Sequence, residues 1–326
     1  MGSMREDNKR FYIEEFRDFN DLFPEWDDLV QSCASPTPFL TRQWLSTWWR
    51  YFSTDRDLLL LTVKDGEKGL LGIAPLYVKA ERTKLIGESD LCDYQDFLIS
   101  KGKEEEFIKT LLNYLWKLHR PPLYIDSLPA FSPTLQVLGE ENGCKISLQD
   151  TTPIIHLPSS LEEYLASLSQ KYRHEIRRKI RKIETDGEVA FYGTESHQKL
   201  GDFLKLHKSS QEKAKFMNPR RERFFYDMAN LFSKEGWLKL FFLTLNQKEI
   251  ASLLCFQFQK TLYLYNSGYD LEYSPLSPGI VILAYTIQDA IQKGIKGFNL
   301  LRGSEKYKYH FGAQDLKLYK VCVDAK

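Results

Sequence analysis

The sequence predicts an α/β (α+β) protein of two tandem domains, each a mixed central sheet flanked by helices. Three observations carry this. The chain has 326 residues, where a single domain commonly runs ~100–200. Short apolar runs of strand length alternate with longer stretches of helical periodicity. A strand hairpin follows two predicted helices in each half, at a separation of roughly 180 residues, which marks a structural duplication. The polar, turn-forming stretch Gln149-Asp150-Thr151-Thr152-Pro153 divides the halves, so the expected domains are residues 4–152 and 153–326.

The second half carries the stronger pattern. Ser160-Leu161-Glu162-Glu163 has the form of a capping box. The helix it opens places Leu161, Leu165, Leu168, Tyr172, Ile176, Ile180 and Ile183 mostly at helical spacing, and Gly187 is its expected C-terminal cap. A short strand over 189–192 and a helix over 195–215 follow. Asn218-Pro219 starts another helix, with proline in the first turn, and Gly236 closes it. Strands are predicted over 237–245, 250–259 and 261–267, the first two joined by the turn Asn246-Gln247-Lys248-Glu249. A Pro/Gly loop leads into a helix over 279–293. A strand over 296–301, a short helix or loop over 304–310 and a last strand over 316–323 complete the half. The first half is a fainter version: a strand over 11–15, helices over 22–32 and 42–52, a hairpin around Asp65-Gly66, an extended run over 94–99, a helix over 104–119 and a strand over 123–127. Trp44 and Trp48 stand four apart on one helix face, as a core stripe does.

Composition excludes several classes. With 45 basic and 44 acidic residues the net charge is +1, so the chain is no general nucleic-acid-coating protein and is not expected to bind DNA. No apolar run approaches the ~18–20 residues of a membrane span. Five cysteines stand singly, with no C-x-x-C pair and no His/Cys cluster, so neither a disulfide scaffold nor a metal site is expected, and a reducing cytoplasm suits the count. Met1-Gly2-Ser3-Met4 reads as a cloning remnant before a native Met4, with no signal peptide after it.

Four groups of residues bear on chemistry. Ser277-Pro278-Gly279 stands at a predicted helix N-terminus, where free N–H groups and the dipole attract phosphate; an ordinary capped helix start gives the same pattern. Seven basic residues lie between Lys171 and Lys182 against one acid, Glu175, and Arg173, Arg177 and Arg181 form a row beside the apolar stripe, with Arg178 further round. Such a face can hold a phosphate-bearing acceptor, a tRNA end or an anionic headgroup, or can be merely solvated. After a predicted central strand comes Arg302-Gly303-Ser304-Glu305-Lys306-Tyr307-Lys308, at the strand end where open α/β sheets bind ligands. There Glu305 can accept a proton, Tyr307 or Tyr309 can donate one, and Arg302 can bind substrate or simply pair with Glu305. His207 is a second candidate base or a packed helical histidine, and His310 has the same two readings. Asp93 and Asp96, flanking Tyr94, either contact the acceptor or cap a turn. No nucleophile elbow, P-loop or dinucleotide fingerprint occurs, which fits a reaction without a covalent enzyme intermediate.

The second-half order, with Gly268-Tyr269-Asp270, Ser277-Pro278-Gly279 and Phe298-Asn299-Leu300-Leu301-Arg302-Gly303-Ser304-Glu305-Lys306-Tyr307-Lys308, resembles the BioF2-like/CelD-like acetyltransferases of the GNAT superfamily. These are in turn similar to the FemABX peptidyltransferases, which use two GNAT-like domains. The basic helix Tyr172-Arg173-His174-Glu175-Ile176-Arg177-Arg178-Lys179 resembles the matching segment of both groups. The resemblance covers residues 155–315; in the first half it rests on Asp93-Tyr94-Gln95-Asp96 and the hairpin. It implies a degenerate GNAT-like first domain and an acyltransferase second domain. It implies an acetyl-coenzyme A donor between splayed strands near 263–267 and 298–301, so that Asn266 joins Ser277, Pro278 and Gly279 as a donor-binding residue. Lys308 matches a lysine near the reacting centre, where it would stabilise an oxyanion. The usual GNAT phosphate loop is absent, and Ser277-Pro278-Gly279 stands in its place. The acceptor implied is an amine or hydroxyl on a small molecule or cell-envelope precursor. The alternatives are a FemABX-like transfer from aminoacyl-tRNA to a peptidoglycan precursor, and a non-catalytic module that binds an anion.

Overall fold

The computed structural model describes residues 10–22, 25–67, 69–88 and 90–325, so Met1–Met4 lie outside it. The chain divides into two units, residues 1–150 with 317–326, and residues 151–316.

In the first unit the chain runs β1 (Phe11–Phe16), α1 (Glu25–Ser32), α2 (Arg42–Phe52), β2 (Asp57–Asp65), β3 (Gly69–Lys79), β4 (Arg82–Leu85), β5 (Leu98–Ile99), α3 (Glu104–Lys117), β6 (Leu123–Pro129) and α4 (Pro133–Gly139). β1, β2, β3 and β4 pair antiparallel in that order, and β4 pairs parallel to β6 through Thr83↔Leu123 and Lys84↔Tyr124. The apolar face of α3, from Phe107 to Leu115, is buried on the core residues Leu59, Leu61, Val63 and Leu71. Each such side chain contributes about 1.5–3 kcal/mol of transfer free energy.

β7 (Cys144–His156) carries the chain into the second unit. There follow α5 (Leu161–Ser167), α6 (Gln170–Glu184), β8 (Val189–Thr194), α7 (Leu200–His207), α8 (Gln211–Phe216), α9 (Pro219–Lys234), β9 (Leu238–Leu245), β10 (Lys248–Phe258), β11 (Thr261–Tyr269), α10 (Pro278–Gln292), β12 (Gly297–Asn299), α11 (Lys306–His310) and β13 (Gln314–Val323). The topology repeats that of the first unit. β8, β9, β10 and β11 pair antiparallel in order, and β11 pairs parallel to β12. α10 lays Val281, Ile282, Leu283, Ile287 and Ile291 into the core, because apolar residues recur along it at helical spacing.

Four expectations are corrected by local chemistry. The single helix over 161–183 is two, because Ser169 caps α6 by accepting from the Tyr172 N–H at 3.4 Å. The helix over 195–215 likewise breaks at Ser209-Ser210, where Ser210 caps α8. Only Leu98 and Ile99 of the extended run 94–99 form a strand. The last strand, expected in the second domain, pairs from Leu318 onward with β6, so residues 317–326 group with the first unit. No helix among the described residues is long and apolar enough to cross a membrane, and none of their His, Cys, Asp and Glu side chains form a metal-holding group of three.

Candidate active site

The site of the second unit begins with an interruption in the sheet. β12 pairs with β11 only over Thr261–Tyr263, and β11 then runs on to Tyr269 beside β10 alone. Leu254 pairs with Asn266 and Cys255 with Leu264, so Tyr265 is the extra residue of a β-bulge at the point where the partner strand is lost. Beside this unpaired stretch lies a cleft of ≈ 440 Å³. Leu264, Ser267, Gly268 and Tyr269 of β11, Leu253 of β10 and the α10 residues Pro278, Gly279, Ile280 and Leu283 form its walls. Lys213, Glu305 and Tyr307 bring polar atoms to its mouth.

The first turn of α10 is open toward this cleft. Ser277 has φ 55° and ψ 48°, a left-handed conformation that costs a non-glycine residue about 1–3 kcal/mol. In this conformation its hydroxyl makes no capping bond, while its carbonyl accepts from the N–H groups of Ile280 and Val281. Pro278 has no N–H, so the Gly279 N–H is the one amide of that turn without a partner among the described residues. A Cβ on Gly279 would touch Tyr269 at an ordinary 3.7 Å, so the glycine is not forced by packing.

The loop after β12 is held from below. Leu301 has φ 53° and Gly303 φ 109°. Asn299 Oδ1 accepts from the Leu301 N–H at 2.9 Å, and Lys308, only 3% exposed, donates to the carbonyls of Leu301, Arg302 and Gly303 at 3.1, 2.8 and 3.0 Å. Gly303 is favoured by its positive φ, and a Cβ there would also displace the Glu305 carboxylate, which lies 2.5 Å from that position. Lys308 also pairs with that carboxylate at 3.0 Å, leaving Glu305 57% exposed at the cleft. Burial and the nearby Glu305 charge push the Tyr307 phenol up to about 12, so it is protonated at neutral pH.

α7 packs on β11, and α8 brings Lys213 to the cleft. A Cβ on Gly268 would lie 2.3 Å from the His207 nitrogen, so only glycine lets the end of α7 approach β11. His207 Nδ1–H donates to the Ser267 carbonyl at 2.9 Å, and burial pushes the imidazole down to about 4, so it stays neutral. Lys213 donates to the same carbonyl at 2.7 Å.

Of the residues singled out from sequence, the cleft therefore gathers Ser277, Pro278, Gly279, Glu305 and Tyr307. Asn266 sits at the bulge but does not line it. His207 is corrected from candidate base to buried support: it is 1% exposed, its Nδ1–H is spent on β11, and a group near 4 is too weak a base for an amine proton. Lys308 is corrected from an oxyanion contact to a clamp, since its three N–H groups are taken by loop carbonyls. Arg302 is half-buried in that loop. Tyr309 donates to Asp315 at 2.7 Å, and His310 stacks on Tyr172 at 4.1 Å. On α6, Arg178 is bonded to Glu175 by two 2.8 Å contacts, whereas Arg173 and Arg177 have no ion-pair partner among the described residues. Lys182 donates to the Pro275 carbonyl at 2.8 Å, which docks the basic helix beside the segment leading into α10. Asp93 and Asp96 are both buried in the first unit. Asp96 accepts from the Phe97 N–H at 2.8 Å and from Ser132 and Thr134 at the start of α4, so it is a structural cap rather than a substrate contact. Lys213 was missed, because nothing in its local sequence marks it.

The family model described as an acetyltransferase (GNAT) domain matches residues 170–309. The second unit is a GNAT acetyltransferase domain, and through it the chain is an acyltransferase-type enzyme. The chain is also similar in fold to FemX, at 14% identity with a TM-score of 0.68 over 95% of this chain and 97% of that one. L-PGS from Bacillus licheniformis aligns at 10% identity and TM-score 0.59, over 91% of this chain and 90% of its own. A tandem GNAT protein from the clavulanic acid biosynthesis pathway aligns at 12% identity and TM-score 0.51, over 95% of this chain and 98% of that one. The fold is thus the tandem GNAT fold. No curated protein sequence matches the chain.

Proposed function

We propose that the protein moves an acyl group, acetyl in the simplest case, from coenzyme A to an amine or hydroxyl of a small or cell-envelope acceptor by direct attack. The observation that carries this is the cleft beside the unpaired stretch of β11. Its apolar walls suit a pantetheine arm, and the unpaired strand edge suits the amides of that arm. The Ser277 hydroxyl, the Gly279 N–H and the positive end of α10 are available to a phosphate. Ser277, Pro278 and Gly279 would hold the donor, with Asn266 fixing the bulge behind it. Glu305, open at the cleft mouth, takes the proton of the attacking amine, and protonated Tyr307 stands beside it. Arg302 would join Arg178 and the α6 residues Arg173 and Arg177, which have no ion-pair partner among the described residues, in supplying the charge that would bind an anionic acceptor.

One observation favours a second reading. With a single open N–H in the first turn of α10, the backbone offers a thin grip on pyrophosphate, while α6 offers a row of cations. That balance suits an aminoacyl-tRNA donor, as do the fold likenesses to FemX and L-PGS. The discriminating experiment follows release of free thiol from acetyl-coenzyme A with a panel of amine and hydroxyl acceptors, in parallel with transfer of a labelled aminoacyl group from charged tRNA. Thiol release dependent on an acceptor supports the first reading. Transfer from charged tRNA alone supports the second. A protein inert in both, yet binding anions through α6, would be a non-catalytic module.

A further inference from the structure

An ammonium has three N–H groups to give. Lys308 gives all three to backbone carbonyls inside the loop and has the Glu305 carboxylate as a fourth neighbour, so a substrate oxygen finds nothing left. Lys213 is placed differently. It projects from α8, half-buried, and lines the cleft. Its bonds are one to the Ser267 carbonyl at 2.7 Å and a longer one to the Ser267 hydroxyl at 3.4 Å. Ser267 lies on the part of β11 that β12 has left. Lys213 and Glu305 line the same cleft.

We infer that Lys213 is the catalytic cation of this site, contacting the donor's reacting carbonyl, and that Lys308 is a positioning residue that sets the loop carrying Glu305. This rests on the acyl-coenzyme A reading above. The acceptor nitrogen forms the new C–N bond with its lone pair, and the carbonyl π pair moves onto oxygen, to which a Lys213 N–H donates a hydrogen bond. Glu305 takes the proton from the nitrogen. The carbonyl then re-forms, the C–S bond breaks with its electron pair on sulfur, and the thiol leaves with the proton Glu305 held. The charged groups facing Lys213 are Glu212 on its own helix and Glu305, which lines the same cleft, and the neutral His207 imidazole shares the Ser267 carbonyl with it. Burial lowers the ammonium's affinity for its proton, and Glu212 and Glu305 pull the other way.

The test is competitive labelling of the intact protein with trace acetic anhydride between pH 7 and 11, read lysine by lysine by mass spectrometry, with and without saturating acetyl-coenzyme A. Lys213 is expected to label at lower pH than exposed Lys109 and to be shielded about tenfold by acetyl-coenzyme A, with Lys308 unlabelled in the folded state. Calorimetry on the same samples establishes that the donor binds. If it binds and Lys213 is not shielded, the inference is wrong while the donor reading stands. If acetyl-coenzyme A does not bind at all, the donor reading fails and takes the inference with it. In thiol release, Lys213→Met should lower kcat about 100-fold with KM within a factor of three, and Lys213→Arg should recover part of the loss. An unchanged kcat in a Lys213→Met protein of unchanged melting temperature would also overturn the inference.

Discussion

The two units repeat one topology and differ where a ligand would bind. In each, four strands pair antiparallel in order and the fourth pairs parallel with a later strand, β6 in the first unit and β12 in the second. In the second unit the fourth strand, β11, outruns its partner and leaves an open edge beside a cleft. In the first unit the fourth strand, β4, has only four residues. In the chain after it Leu91, Cys92, Tyr94 and Phe97 are all buried. The helices at the crossover differ as well. The first turn of α10 carries no acid, whereas that of α3 carries Glu104, Glu105 and Glu106 and repels an anion. The proposed donor site thus belongs to one copy of the fold, the one with the open strand edge and the helix start free of acids.

Substitutions should sharpen this contrast, and the largest effects fall on the close approaches. Gly268→Ala places a methyl 2.3 Å from the His207 nitrogen, and Gly72→Ala in the first unit places one 2.6 Å from the Leu98 carbonyl. Each should cost about 3 kcal/mol in urea unfolding, because in both units a helix or strand packs directly on backbone. Lys308→Met strands three loop carbonyls and should cost about 2 kcal/mol and lower transfer by moving Glu305; unfolding curves and thiol release measure the two effects.

The units should also respond to pH in opposite directions. His207 falls to about 4 in the folded protein, so the unfolded chain binds more protons at mildly acid pH. The second unit therefore loses stability as pH drops below roughly 6.5 toward 4. Burial raises Asp96 to about 6, so the folded first unit holds a proton the unfolded chain has released. That contribution is complete below roughly 3.9 and is lost as pH rises through 6. Hydrogen exchange resolved by segment, corrected for intrinsic rates, should show the second unit loosening relative to the first on going from pH 7.5 to 5. His207→Phe should flatten the first trend and Asp96→Asn the second. The smallest stability effect belongs to α6: Arg173→Gln with Arg177→Gln should shift unfolding by under about 0.5 kcal/mol, yet weaken binding of the anionic substrate and reduce its salt dependence.

The sequence made the layered fold legible because helix and strand periods, caps and turns are local. The cleft's Ser277-Pro278-Gly279 is legible at a predicted helix start, and Glu305 in the segment after a predicted strand. What escaped were roles created by distant contacts. Lys213 matters only because Ser267, 54 positions away, meets it. The basic helix and the motif lysine drew attention by charge, but whether a charge is available depends on what occupies its N–H groups. Lys308 is spent on three carbonyls and Asp96 on the start of α4, and neither could be read from spacing. The last strand was misassigned for the same reason, since periodicity identifies a strand without naming its partner.

The central claim is that one unit binds the donor and the other does not. Calorimetric titration with acetyl-coenzyme A of the wild type, Gly279→Trp and Glu104→Trp tests it most directly. The account predicts one site per chain, abolished by Gly279→Trp, which fills the α10 end of the cleft, and unaffected by Glu104→Trp at the matching turn of α3. Two sites per chain, or one that survives Gly279→Trp and is lost with Glu104→Trp, would contradict it.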